Sequence, residues 1–187
     1  MNSQVPELVS NFVNGSEADF AALVRMFRRK IYTTARRIVG NHLDADEVVQ
    51  ETFVRVYRKR EDLRRVKYFS TFLMRVATNY AIDILRRQKA ARGTDSESPE
   101  ISGAAQLDLS RRVTTPSEEF ENKRIMEEIE RALNHLPPRQ KITAILHDVD
   151  GYTKAEIASF LECPEATVRS NLHIARTKLK RMLKHRL

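Results

Sequence analysis

Tryptophan is absent from the 187 residues, and cysteine occurs once. A single cysteine excludes an internal disulfide framework and a four-cysteine zinc site. Five glycines and six prolines are few for this length. An all-β chain would need more tight turns than these can make. No apolar run approaches the ~18 residues of a membrane span. The opening MNSQVPELVSNFVNG has neither the basic end nor the apolar stretch of a secretory signal. No membrane insertion is therefore expected, and the cytoplasm is the expected compartment. Acid is also missing from one long segment: none occurs between Thr167 and Leu187.

What is present is a basic, core-forming chain. Hydrophobic residues make up 41%, enough to bury real cores, and the net charge is +8. A sequence pI near 9.8 calls for an anionic partner without naming it. The charge is unevenly spread: residues 1–90 carry +7, residues 117–166 carry −5 and residues 167–187 carry +7. Two basic blocks around an acidic one suit a nucleic-acid binder, and equally a chain with solvated tails.

Apolar spacing predicts three long helices in the first half. Phe20, Leu23, Val24, Phe27, Ile31, Ala35 and Ile38 mark one. Ser16 and Asp19 would start it and Gly40 would end it. Val48, Val49, Thr52, Phe53, Val56 and Tyr57 mark the next, with Asp44 expected as its cap and Glu47 three residues on. Phe72, Leu73, Val76, Ala77, Tyr80, Ala81, Ile84 and Leu85 mark the third. Periodicity then vanishes, and RGTDSESPEISGAAQ has a linker's composition. Helix resumes with Thr115 as cap and Pro116 at the first helical position, and breaks at Leu136-Pro137-Pro138. The expected fold is all-α: two small helical domains, 10–91 and 116–187, joined by a flexible linker over 92–115.

The last segment has a sharper pattern. Thr153-Lys154-Ala155-Glu156 is a capping box before Ile157, Ala158, Phe160 and Leu161. Glu162 and Cys163 would turn the chain, and Pro164 would open a long helix with the stripe Val168, Leu172, Ala175, Leu179 and Leu183. Two helices across a tight turn form a helix-turn-helix, whose second helix can enter the major groove. Away from the stripe stand Thr167, Arg169, Ser170, Asn171, His173 and Lys178. Arginine can pair with guanine, asparagine with adenine, and serine or threonine with either. A plain hairpin with a solvated basic face is the other reading of this segment.

The stretch LPPRQKITAILHDVDGYTKAEIASFLECPEATVRSNLHIARTKLKRML resembles region 4 of extracytoplasmic-function (ECF) sigma factors. It matches at Leu136-Pro137, Asp150-Gly151, Glu156-Ile157-Ala158, Cys163-Pro164, Thr167-Val168-Arg169-Ser170 and Ala175-Arg176. Residues 17–91 resemble region 2 of the same family through DADEVVQETFVRVYR and FSTFLMRVATNYAIDILRR. The resemblance implies a promoter-specificity subunit of RNA polymerase with no catalytic group and no cofactor. It implies that Asp44, Asp46, Glu47, Gln50 and Glu51 dock on the clamp of the polymerase's largest subunit. It implies contact with the flap of the second-largest subunit and an anti-sigma factor as a further partner.

Residues 63–70, LRRVKYFS, form a basic loop with two aromatics, able to hold phosphates and stack an unpaired base. By resemblance this loop and the next helix read the −10 element with Arg64, Arg65, Lys67, Tyr68, Arg75, Asn79, Arg86 and Arg87. Asn79 would meet a flipped base through its donor and acceptor edges, whereas Phe69 is expected to pack inward. The −35 element would meet Lys141, Lys154, Thr167, Arg169, Ser170, Asn171, His173 and Lys178. Phe72 stands where the family usually has tryptophan, and Asn171 and Ile174 stand where it usually has arginine.

Other classes explain less. A free-standing helix-turn-helix regulator leaves the acidic helix and the basic loop without a role. A carboxylate metalloenzyme would need Glu-x-x-His motifs, which the sequence lacks. A response regulator would need a βαβ domain where helices are predicted. Cys163, at a helix start, could sense oxidants or simply pack, and packing is the expectation.

Overall fold

The computed structural model describes residues 4–65, 68–91 and 116–184, with side chains described for 4–64, 68–91 and 124–184. The expected linker over 92–115, and Thr115 as a cap, lie outside the described residues. Among the described residues every regular element is helical, as the apolar spacing requires.

The first half holds α1 (Val5–Val13), α2 (Glu17–Val39), α3 (His42–Arg58), a 3-10 turn (Arg60–Arg65) and α4 (Phe69–Ala91). The sequence reading had no helix at Val5–Val13. Val9, Phe12 and Val13 are buried there, and the Phe12 ring stacks on Phe20 at 4.6 Å. Ser16 accepts the Asp19 N–H at 3.3 Å and starts α2 as expected. Gly40 ends it in the left-handed region at φ 88°. The expected cap of α3 is corrected. Asn41, not Asp44, is extended at φ −140° and accepts the Asp44 N–H at 2.8 Å. Asp44 is the third helical residue, and its carboxylate accepts the Asn41 side-chain amide at 2.6 Å.

The second half holds α5 (Pro116–Asn134), α6 (Pro138–Ala144), a π turn continuing it (Ile145–Val149), α7 (Lys154–Phe160) and α8 (Glu165–Leu183). Thr153 and Glu156 form the predicted capping box: the Thr153 N–H donates to Glu156 at 2.9 Å and the Glu156 N–H to Thr153 Oγ1 at 3.2 Å. Val168, Leu172 and Ala175 fix α8 by burial, which stabilises by about 1.5–3 kcal/mol for a valine or leucine side chain.

The halves pack on one another, α4 against α6 and α7. Buried Met74 and Ile82 lie on α4. Polar contacts close the seam. Asp150 accepts from Thr34 Oγ1 at 2.9 Å and is ion-paired with Arg37. Arg75 donates to Glu162 at 3.0 Å. The Lys30 ammonium sits 5.1 Å from the centre of the Tyr152 ring. Deeper in, Arg36, Glu130 and Lys141 share one charged cluster. Burial pushes the Glu130 carboxyl up, against the pull of Arg36 and Lys141. Burial pushes the Arg36 guanidinium down, against Glu130.

Candidate nucleic-acid interface

α3 presents its acids on two faces rather than one. Asp44 accepts from Gln88 of α4, and Glu47 accepts from Tyr80 Oη at 2.5 Å and Arg87 at 3.2 Å. The Tyr80 hydrogen bond is the main reason the Glu47 carboxyl titrates below its usual range, with Arg87 adding to it against burial. Glu51 pairs with Arg55 at 2.7 Å, and Arg55 lies over the Tyr80 ring at 4.8 Å. These three acids therefore serve contacts along the α3–α4 side. Asp46 and exposed Gln50 look outward, in a helical stripe with Leu43, 85% exposed, and Val54, 39% exposed. Sequence reasoning missed Leu43 and Val54. The signal was there: both are apolar yet lie off the buried stripe of Val48, Val49, Phe53 and Val56.

The −10 candidates are spread along the 3-10 turn and α4. Arg64 is exposed and pairs with Glu61 at 3.0 Å and Asn14 at 3.2 Å. Tyr68 is 63% exposed, while Phe69 is buried edge-on to Phe27 at 5.5 Å, so the packing role expected for Phe69 holds. Lys67 and the Arg65 side chain lie outside the described residues. Arg75 is held by Glu162 and covers the Phe72 ring at 5.1 Å. Phe72, at the position usual for tryptophan, is buried. Asn79 is half-buried one helical turn beyond Arg75. Arg86 is exposed beside Asp83 at 3.7 Å, and Arg87 pairs with Glu47.

The −35 candidates mostly share the outer surface of α8. Thr167, Arg169, Ser170 and His173 are exposed, and Asn171 is half-buried. Arg169 has only a loose pairing with Glu165, at 3.8 Å and exposed, so its guanidinium can be redirected at little cost. Two members have partners within the protein. Lys141 is buried and its ammonium donates to Asn134 at 2.8 Å, because α6 turns that position into the core beside Ile142. Lys178 is half-buried and donates to Gln140 at 3.1 Å. Lys154, half-buried, begins α7. Arg176 clamps Asp148 at 2.5 and 3.2 Å. Burial would raise the Asp148 carboxyl, but the Arg176 hydrogen bonds and charge, with help from His147, hold it low.

Comparison with known proteins gives this arrangement its class. The Sigma-70 region 2 model matches residues 23–91, and the Sigma-70, region 4 model matches residues 126–179. The chain has the two-region helical build of a sigma-70 transcription initiation factor. It belongs to the ECF family of RNA polymerase sigma factors. It is 31% identical over 180 residues to the ECF RNA polymerase sigma-E factor of Haemophilus influenzae, covering 92% of each chain. It is 26% identical over 188 residues to the ECF RNA polymerase sigma factor SigW of Bacillus subtilis, covering 98% of this chain and 99% of that one. In fold it is similar to CnrH, solved in complex with the cytosolic domain of CnrY: TM-score 0.65, 22% identity, 95% of this chain and 96% of that chain. It is also similar to Bartonella quintana RpoE, solved with the anti-sigma factor NepR: TM-score 0.63, 20% identity, 89% and 97%. No helix among the described residues is long and apolar enough to cross a membrane.

Proposed function

We propose that this sigma factor works in the cytoplasm as a non-catalytic subunit, with residues 10–91 docking on polymerase and reading the −10 element, and residues 116–187 reading the −35 element. α1 extends the first unit back to Val5. The docking face on the clamp of the largest subunit is the outward stripe Leu43, Asp46, Gln50 and Val54. Glu47 holds that helix on α4, and Glu51 holds Arg55 over the Tyr80 ring. The apolar pair supplies affinity on burial, and Asp46 and Gln50 supply register. Residues 116–187 also meet the flap of the second-largest subunit. Tyr68, Asn79 and the loop arginines capture a base extruded from the −10 element, at an unstacking cost of a few kcal/mol that the contacts offset. Arg169, Ser170, Thr167, Asn171 and His173 face the −35 groove. An anti-sigma factor is a further partner, as for the Bartonella quintana relative of like fold.

One observation carries this reading: an exposed stripe of mixed apolar and polar residues on α3 and an exposed reading face on α8, in one chain. Transcription in vitro with core polymerase on a promoter library tests it. Specific transcripts with paired −10 and −35 preferences are expected. A chain that binds duplex operators but never core polymerase would sink it. In the same assay Leu43→Asp should abolish core binding while leaving −35 duplex binding by the free protein intact.

A further inference from the structure

α2 carries a surface that none of these roles uses. After Asp19 the helix has no acid, yet it bears Arg25, Arg28, Arg29, Lys30, Arg36 and Arg37. Arg36 is buried in the seam cluster and Arg37 is paired with Asp150. Arg25, Arg28, Arg29 and Lys30 are exposed. At about 100° per residue, Arg25, Arg28 and Arg29 fall within about 100° of arc on one side of the helix. Among the described residues none of these three takes part in an ion pair; scattered exposed arginines such as Arg139 and Arg181 share that state, but here three lie together on one helix. Like charges three and four residues apart repel, so this concentration weakens the helix that carries it.

The arc does not end in open solvent. Arg29 and Lys30 line an open cleft of about 520 Å³, together with Thr33, Thr34, Arg37 and Tyr152. The cleft runs from α2 to the second half of the molecule. Phe27, next to Arg28, packs on Phe69 at the start of α4. The arc therefore keeps a fixed position relative to the −10 loop.

We propose that Arg25, Arg28 and Arg29 form a track for the phosphate backbone of promoter DNA outside the two recognised elements. The inference rests on the sigma-factor reading above. Charge complementarity identifies the occupant: unpaired cations spaced along a rigid helix suit a row of phosphates. Arginine suits them best, because its planar fork matches a phosphate bidentately. Such contacts position DNA without reading its sequence. They add affinity, and they add salt dependence, because each neutralised phosphate releases counterions.

The test uses the full chain assembled with core polymerase on one promoter duplex, with affinity measured across a salt series. The combined variant Arg25→Gln, Arg28→Gln, Arg29→Gln should reduce the slope of log affinity against log salt by about 2–3. It should weaken binding about tenfold or more at the low-salt end, leave the ranking of −10 and −35 base substitutions intact, and keep helicity. The matching triple Lys variant should retain most of the slope. An unchanged slope overturns the proposal. So does a loss of affinity for core polymerase without DNA at unchanged slope, which would make the arc a protein-docking surface. Failure of the sigma reading is distinct: the wild-type holoenzyme would then give no promoter-specific binding at all.

Discussion

The two sets proposed to face DNA differ in what they do within the protein itself. On α4 the proposed −10 residues are engaged: Arg75 by Glu162, Arg87 by Glu47 and Tyr80, Arg86 beside Asp83. On α8 the outer residues Thr167, Arg169, Ser170 and His173 face solvent, with one loose pairing at Arg169. The first set is thus partly spent on holding the molecule together, and the second is ready for a ligand. Size sharpens the point. A compact chain of this length has a radius of gyration of roughly 16 Å. Promoter elements centred about 25 base pairs apart lie roughly 85 Å apart at 3.4 Å per base pair. A molecule in which Thr78 of α4 lies 3.5 Å from the Phe160 carbonyl oxygen of α7 cannot reach both. On the proposed assignment of one element to each half, reading both together requires the seam to open, and opening would release Arg75.

The largest effect is expected at the buried ion pair of the seam. The Asp150 side chain is 6% exposed and accepts from both Thr34 and Arg37. Asp150→Asn should cost about 1.5–3 kcal/mol, the range for hydrogen bonds to charged groups. It should also raise the radius of gyration in solution scattering. An unchanged radius and an unchanged urea midpoint would show that the halves do not depend on this contact.

Arg169→Ala tests the free side of the comparison. It should cost about 1–3 kcal/mol of binding and relax preference at one −35 base pair. A uniform loss across a −35 duplex library would reassign Arg169 to the backbone. Stability should stay within about 0.5 kcal/mol, because its pairing with Glu165 is exposed and long.

Glu162 joins the two sets. It sits in the left-handed region at φ 48° in the turn between α7 and α8, a conformation that costs a side-chain-bearing residue about 1–2 kcal/mol. Its pair with Arg75 is exposed and contributes about 0–1 kcal/mol. Glu162→Gly removes the pair and relieves the strain together, so net stability should move by less than about 1 kcal/mol. Arg75 is then free, and binding of −10 single strands should tighten a few-fold with −35 preference untouched. Tightening at −35 as well would mean that the turn, not the ion pair, was responsible.

These contacts also mark how far the sequence could be read. α2, α3, α4 and α8 were legible because helical order is local: apolar residues recur at the helical period, and Ser16, Gly40 and the Thr153 box mark the ends. α1 was not recognised, although Val5, Leu8, Val9, Phe12 and Val13 have the right spacing, because a short segment gains its helix from packing on α2 and Phe20. Asp44 reads as a cap because the Asp44–Glu47 pair imitates a box, while Asn41 is the residue that caps, accepting the Asp44 N–H. Lys141 looked like a DNA contact because charge in a sequence carries no direction. The seam was not legible, since Asp150 reads locally as a helix end and its partners lie more than 110 residues earlier.

The smallest effect concerns the capping box of α7. The Glu156 carboxyl titrates below its usual value of 4.5, first because the Thr153 N–H donates to it, then because the Thr153 hydroxyl does, with Lys30 of α2 adding attraction across the seam against a little burial. A carboxyl whose folded-state titration is depressed stabilises the fold above its unfolded value, near pH 4.5. That stability is lost as pH falls through the lower, folded value. Glutamine can still accept from the Thr153 N–H but brings no charge to the helix start or to Lys30. Glu156→Gln should therefore cost about 0.5 kcal/mol at pH 7, within the range of exposed charge at a helix N-terminus. The difference between wild type and variant should shrink towards zero in urea titrations run at successively lower pH below 4.5. Thr153→Ala removes the acceptor for the Glu156 N–H at every pH, and should cost about 0.5–2 kcal/mol, converging only in part at low pH because the hydroxyl's bond to the Glu156 carboxylate is lost as well. If the Gln variant stays equally far below wild type at low pH, the loss is one of packing, and the charge of Glu156 contributes nothing at this helix start.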